Sequence, residues 1–436
     1  MKLTKRHFYV ARIPQAVVGL TLIAAAFPFR FPVVGSRTAS LFDVAVLVSV
    51  LTSLLLRREA QRLPKPMMWL GTVSILISAA SVFWSREPEE SFFYVVSSLE
   101  AMLVFVAFIA LLREASAQQI AKFACLWIIA LLIGSALLWS HVPGFLPPAS
   151  LNPASGDYIS YFSRLSHPLI GRSNNLAALL SLFVIPLAAW SWRTKNRFAG
   201  VTATATAGAT LLTFSRGTLL ALALGVVLYL IIDGKNGRRL VKLGWLPLVV
   251  IVGVSSLVLL LNPTMASFIS SRFSGAGYEA RTDLLSQSLG AILNDWAVGT
   301  GGGTGSDVHN TFVQQIVYFG LFLGLVVCIL LVRVTTWWFR KEHGESRWLA
   351  RSIGIGFVVQ MASFLVESSY EGSLLRPLIW MSWGLLVALF SAYQRESQFP
   401  LSEHPDRLEL PSTNERRWFR KWTEGPRSGT WAHKSM

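Results

Sequence analysis

The chain has 436 residues, 53% of them hydrophobic and 14% charged. A soluble domain carries about 25% charged residues, so an ordinary soluble enzyme is excluded, and the apolar content excludes a disordered body. The apolar residues fall in long runs, as a multi-pass membrane protein requires, so the net charge of +16 reads first as positive-inside orientation and contact with anionic lipid, not as nucleic-acid binding.

Taken in chain order, the apolar runs predict spans at Ile13 to Phe29, Ala39 to Leu56, Met67 to Trp84, Ser91 to Leu112, Ile120 to Trp139 and Leu176 to Trp192. Six more follow at Ala199 to Phe214, Thr218 to Ile232, Leu243 to Leu261, Thr311 to Val332, Ser352 to Val366 and Leu378 to Ala392. The expected fold class is therefore all-α, a polytopic integral membrane protein with about twelve transmembrane helices. The first run has basic flanks like those of a signal peptide, but it is expected to remain as a span. Cys125 and Cys328 both sit inside apolar runs, so neither a disulfide framework nor a zinc site is expected.

Charge sets the expected orientation. With the N-terminus inside and the spans alternating, 30 Lys and Arg fall on the inner side and 9 on the outer, and every outer one is arginine. This split predicts cytoplasmic termini. The bundle would occupy residues 1–392, with outer segments at 141–175 and 262–309. Residues 393–436 read as a disordered cytoplasmic tail with a basic patch at Arg416, Arg417, Arg420 and Lys421.

No nucleotide site is readable. The run Gly299-Thr300-Gly301-Gly302-Gly303-Thr304-Gly305 lacks the Gly-Lys-Ser/Thr ending of a phosphate-binding loop and reads as a flexible hinge before a helix. No carboxylate pair or His/Cys cluster has metal spacing, so neither metal nor cofactor is expected. Glu100 falls within a span, where it would line a cavity or balance an arginine. Asp43 reads as a helix cap.

The outer arginines near helix starts stand out. Phe214-Ser215-Arg216-Gly217 reads as a tight re-entry between two spans. Ser215 can cap the new helix, whose N-terminus forms an anion site. Arg216 adds a planar fork suited to phosphate oxygens. Leu284, Leu285, Ser288, Leu289, Ile292 and Leu293 fall on one face of a helix lying on the membrane surface, with Arg281 at its start. Arg164, His167 and Arg172 lie in the first outer segment. Arg172 would contact phosphate, and His167 is read as structural. His309, before the tenth span, can accept a proton from a sugar hydroxyl as a neutral imidazole.

His309-Asn310, nine residues, Gly320 and then Gly324 resembles the signature of the bacterial O-antigen ligases, a superfamily that also holds lipid-linked polysaccharide polymerases. Leu323 stands where the ligase pattern has Gly, Thr or Tyr. Arg216-Gly217-Thr218-Leu219-Leu220 and Arg281-Thr282-Asp283-Leu284-Leu285 resemble the family's arginine element, and Gly171-Arg172-Ser173-Asn174 before a span is similar too. The likeness covers roughly residues 171–324.

The resemblance implies a metal-independent glycosyltransferase of the bacterial inner membrane, working on the periplasmic face. Its donor would be a glycan on undecaprenyl pyrophosphate, and its acceptor the lipid A–core of lipopolysaccharide. On this reading Arg216 and Arg281 grip the leaving pyrophosphate and His309 acts on the acceptor hydroxyl. Arg172, Arg164, Ser215 and Asn310 assist substrate binding. A polymerase of lipid-linked repeat units would share the donor and differ only in acceptor. A transporter of lipid-linked sugars would need charges spread across the bilayer midplane, where the sequence has mainly Glu100.

Overall fold

The computed structural model describes residues 2–27, 29–34, 37–56, 63–140, 165–167, 170, 173–233, 278–304, 310–340, 344–365 and 375–398. The chain divides into two units, Met1–Gln394 and Arg395–Met436, and nearly all described residues belong to the first.

The described elements are almost entirely helical. In order they are α1 (Lys2–Ala24), a hairpin of β1 (Arg30–Val34) and β2 (Arg37–Ser40), α2 (Leu41–Leu55), α3 (Lys65–Ser81), α4 (Pro88–Leu111) and α5 (Ala117–Trp139). Then come α6 (Ser173–Thr194), α7 (Arg197–Leu212), α8 (Arg216–Asp233), α9 (Tyr278–Asn294), α10 (Thr311–Arg340), α11 (Arg347–Phe364) and α12 (Leu375–Gln398). Six of them, α4, α5, α6, α8, α10 and α12, are long and apolar enough to cross a membrane, so the chain is of multi-pass membrane type. The other expected spans within the described residues coincide with helices that are shorter or less apolar than that. The expected ninth span, Leu243 to Leu261, lies outside the described residues, as does the expected tail beyond residue 398; the first residues of that tail, 393–398, instead continue α12.

Two features add to the expected helical architecture. Among the described elements a β1–β2 hairpin pairs Arg30 with Ser40 in antiparallel register. The helix at the expected tenth span, α10, breaks at Gly320. Asp43 is a cap as anticipated. Its carboxylate accepts from the Ser40 N–H at 2.6 Å, while Ser40 Oγ accepts from the Asp43 N–H at 3.2 Å, a reciprocal box that starts α2 directly after the hairpin.

α12 is the hub of the first unit. It is apolar on every face, so it must be surrounded, and nearly all of its residues from Leu375 to Ala392 are buried. Trp380 packs edge-on against Phe105 of α4, Trp383 against Phe357 of α11, and Phe390 edge-on against Trp338 of α10. Trp383 Nε1 donates to Gln360 Oε1 of α11 at 2.8 Å, which satisfies two buried polar groups at once.

Polar ties fix which helix ends lie together. Tyr229 donates its hydroxyl to Asp233 at 3.0 Å, Arg193 stands 3.8 Å from Asp233, and Arg351 donates to the Ile232 carbonyl at 3.2 Å. The last turns of α6 and α8 therefore meet the first turn of α11. Their opposite ends, at Ser173, Arg216 and Leu365, share the other end of the bundle.

Candidate functional site

The candidate site is organised by the break in α10. Gly320 has φ +75°, a left-handed conformation that strongly favours glycine. The carbonyls of Val317 and Tyr318 no longer accept from their own helix. They accept instead from Thr300 N at 2.9 Å and Gly301 N at 3.0 Å, while Leu321 N donates to Trp296 O at 2.8 Å. In lipid such groups must find protein partners, and the preceding loop supplies them. Gly299 (φ +72°) meets Gly320 backbone to backbone, since a Cβ on Gly299 would stand 2.5 Å from Gly320 N and one on Gly320 would stand 2.5 Å from Ala297 O.

The break folds the chain back on itself. A Cβ at Gly324 would stand 2.7 Å from Gln315 O, and Cys328 Sγ donates to Phe312 O at 3.5 Å. Residues 311–319 thus return alongside residues 321–328 as the short arm of a helical hairpin. Cys328 lies eight residues beyond Gly320, so the start of the short arm is recessed by ~12 Å along the helix. A second contact agrees. Gly354 of α11 faces Trp338, and antiparallel packing then brings Leu365 opposite Val327, where its carbonyl accepts from Asn310 Nδ2 at 2.9 Å.

Asn310 is the cap of this short arm. Its Oδ1 accepts from Phe312 N at 3.0 Å and Val313 N at 3.1 Å, and its carbonyl from Gln314 N at 2.9 Å. Both ends of its amide are therefore engaged with protein, and the residue fixes a corner between α10 and the end of α11.

In place of the expected hinge, the described part of the glycine run, residues 299–304, is tied to its neighbours by hydrogen bonds. Gly302 N donates to Ser81 Oγ at 3.1 Å, Ser91 Oγ donates to Gly302 O at 2.8 Å, and Trp84 Nε1 donates to Val298 O at 2.8 Å. Gly299, Thr300, Gly301, Gly302 and Thr304 all spend their N–H groups on protein acceptors. The loop is a plug joining the α3–α4 turn to broken α10.

Among the remaining site candidates, Arg216 begins α8 and is exposed. Ser215 precedes it at the cap position. Its Oγ donates to Thr218 Oγ1 at 3.1 Å, and its carbonyl accepts from Leu219 N at 2.9 Å. The turn between α7 and α8 is tight, and Phe214 holds φ +49° there, an unusual backbone for a bulky aromatic residue. Arg281 lies in the first turn of α9. Along α9, Ser288 is buried and Ala291 and Ile292 pack on the core, while Leu289 and Leu293 are exposed apolar residues. His309, Arg164, Arg172 and the side chain of Arg281 lie outside the described residues. Asn310 and Arg216 therefore lie toward the same end of the bundle, through the shared end of α8 and α11.

His167 is structural, as expected from sequence. It is fully buried, its Nε2 lies 3.1 Å from the Ala26 carbonyl, and it packs on Gly134 of α5. Burial pushes its pKa down to about 3, with the Ala26 carbonyl opposing that shift. Glu100 stands beside Asp43 of α2.

Sequence reasoning missed Arg376. This residue opens α12, yet it is 2% exposed. The available signal was its position at the head of a run that is apolar on all sides, which leaves an arginine no water to face. Among the described residues no group of three His, Cys, Asp or Glu comes together as a metal set. No protein-family model matches the sequence, and no curated protein is significantly similar to it. The likeness to the O-antigen ligases therefore rests on the short motifs alone.

Proposed function

We propose that the chain is a membrane glycosyltransferase that moves an undecaprenyl-pyrophosphate-linked O-antigen glycan onto lipid A–core at the periplasmic face of the inner membrane. The supporting observation is the corner at Asn310, where the short arm of broken α10 begins beside the exposed end of α11. Non-helical backbone at membrane depth is tolerated where it is buried or lines a cavity. A corner next to lipid suits a donor whose polar head is tied to a long isoprenoid.

In this reading Arg216 and Arg281, with Arg172 in support, neutralise the departing pyrophosphate, the task a divalent metal performs elsewhere. Arg164 and Ser215 help to hold the donor. His309, adjacent to Asn310, orients or deprotonates the acceptor hydroxyl, and the glycosidic bond forms as the sugar–phosphate bond breaks. The twelve-span topology with both termini cytoplasmic belongs to this proposal.

The test is the surface glycan of a deletion strain complemented with variants. His309→Ala and Arg216→Ala should each leave lipid A–core bare while long lipid-linked chains accumulate, with protein level and membrane insertion unchanged. Normal surface glycan in both variants defeats the assignment. A single repeat unit on the core in the deletion strain identifies a polymerase instead. Movement of the donor across liposomes, without transfer by the purified protein, identifies a transporter.

A further inference from the structure

We infer that Arg376 is a positioning residue which, through the Tyr94 ring, locks the glycine loop at residues 299–304 against broken α10 and so holds the short arm that begins at Asn310. Its Nη1 donates to Ser98 Oγ at 2.6 Å and to the Tyr94 carbonyl at 3.4 Å, and its guanidinium carbon lies 3.6 Å from the centroid of the Tyr94 ring. That ring meets Tyr318 edge-on at 5.5 Å and Phe319 at 5.8 Å, the two residues immediately before the break. The glycine loop rests on the same ring. A Cβ at Gly302 would stand 2.9 Å from Tyr94 Cδ1, and one at Gly303 would stand 3.4 Å from Tyr94 Cβ.

One aromatic ring thus carries a desolvated cation on its face and the loop and break around it. The guanidinium sits over the ring face while its Nη1 donates into α4, a combination that suits its planar fork better than an ammonium. A charged side chain at this depth in an apolar bundle marks a place where function is organised. Arg376 acts on the short arm only through Tyr94 and the loop, so its role is to hold and not to react.

The experiment uses the full chain in nanodiscs, comparing Arg376→Gln, Arg376→Lys, Tyr94→Leu and Tyr94→Phe with the parent. Amide hydrogen exchange over residues 296–304 is read against α8 as an internal reference. Arg376→Gln and Tyr94→Leu should raise exchange in the loop by about tenfold or more with α8 unchanged, while Tyr94→Phe stays near the parent. The activity arm rests on the proposed glycosyl transfer. There Arg376→Gln should lower kcat by roughly 10 to 100-fold with KM for the donor unchanged, and Arg376→Lys should recover part of it. Loop exchange that stays at the parent level overturns the positioning role, and so does a rise that spreads equally to α8. Faster loop exchange in a protein whose parent form transfers no glycan supports the positioning role and sinks the glycosyl-transfer reading alone.

Discussion

His167 shows how one residue ties acidity to the integrity of the bundle. Its folded pKa is lowered to about 3, below the ordinary value near 6.5. The unfolded chain therefore binds the extra proton first, and stability falls as pH drops from about 6.5 toward 3. A shift of that size corresponds to several kcal/mol, on the order of 4 or 5, so thermal unfolding in detergent should move steeply downward below pH 6. Substituting a neutral isostere, His167→Gln, should flatten that acid limb, and an unchanged limb would assign the acid sensitivity to other groups. Asn310 makes the second prediction at this scale. Asn310→Ala loses the cap and the bond to Leu365, a cost of roughly 1 to 2 kcal/mol. Asn310→Asp keeps a capping oxygen but sets a carboxylate against the Leu365 carbonyl, so it should be no better than alanine in a melting assay.

At the scale of elements, the broken α10 and its loop behave as one piece held by backbone. Arg86 and Asp295 form an ion pair at 2.5 Å, but the Arg86 side chain is 67% exposed. Solvent screening leaves such a pair worth less than about 1 kcal/mol. Asp295→Asn should therefore change the melting temperature little. Gly320→Ala should be severe, because it adds a Cβ at φ +75° against the Ala297 carbonyl. Left-handed strain alone costs on the order of 1 to 3 kcal/mol, before any displacement of the loop. A Gly320→Ala protein with normal stability would refute the backbone-to-backbone contact. What the sequence revealed here follows from range. The cap at Asp43 and the tight turn at Phe214–Arg216 are local patterns and were legible, though the reciprocal partner Ser40 was not read. The fold-back at Gly320 was not, since an apolar run reads the same whether it continues or reverses, and the deciding partners lie twenty residues earlier. Arg376 was hidden for the same reason, its contacts reaching back to Tyr94 and Ser98.

For the whole molecule, two opposite ends are defined by contacts, one carrying Asp233, Arg193 and Arg351, the other carrying Arg86 and the glycine loop. The proposed topology makes the first cytoplasmic. Cys125 and Cys328 are buried, so a single new cysteine can be labelled against a low background. Arg86→Cys should react with a membrane-impermeant maleimide in intact spheroplasts, and Lys195→Cys only after permeabilisation. The reverse pattern would turn the bundle over and place the arginine-marked end with nucleotides instead of lipid-linked glycans. The broad class of the chain was readable from composition, because apolar surplus has few other uses. The number of crossings was less so, because several helices fall short of a full bilayer thickness.

The hairpin at Gly320 also constrains biogenesis. Its short arm, residues 311–319, cannot be released into lipid as an independent segment, since the carbonyls of Val317 and Tyr318 depend on residues 300 and 301. Those donors emerge from the ribosome only some twenty residues earlier. The reversal can thus close as a small cotranslational unit at the translocon, and the anchors from Ser81, Trp84 and Ser91 were synthesised long before and need only receive it.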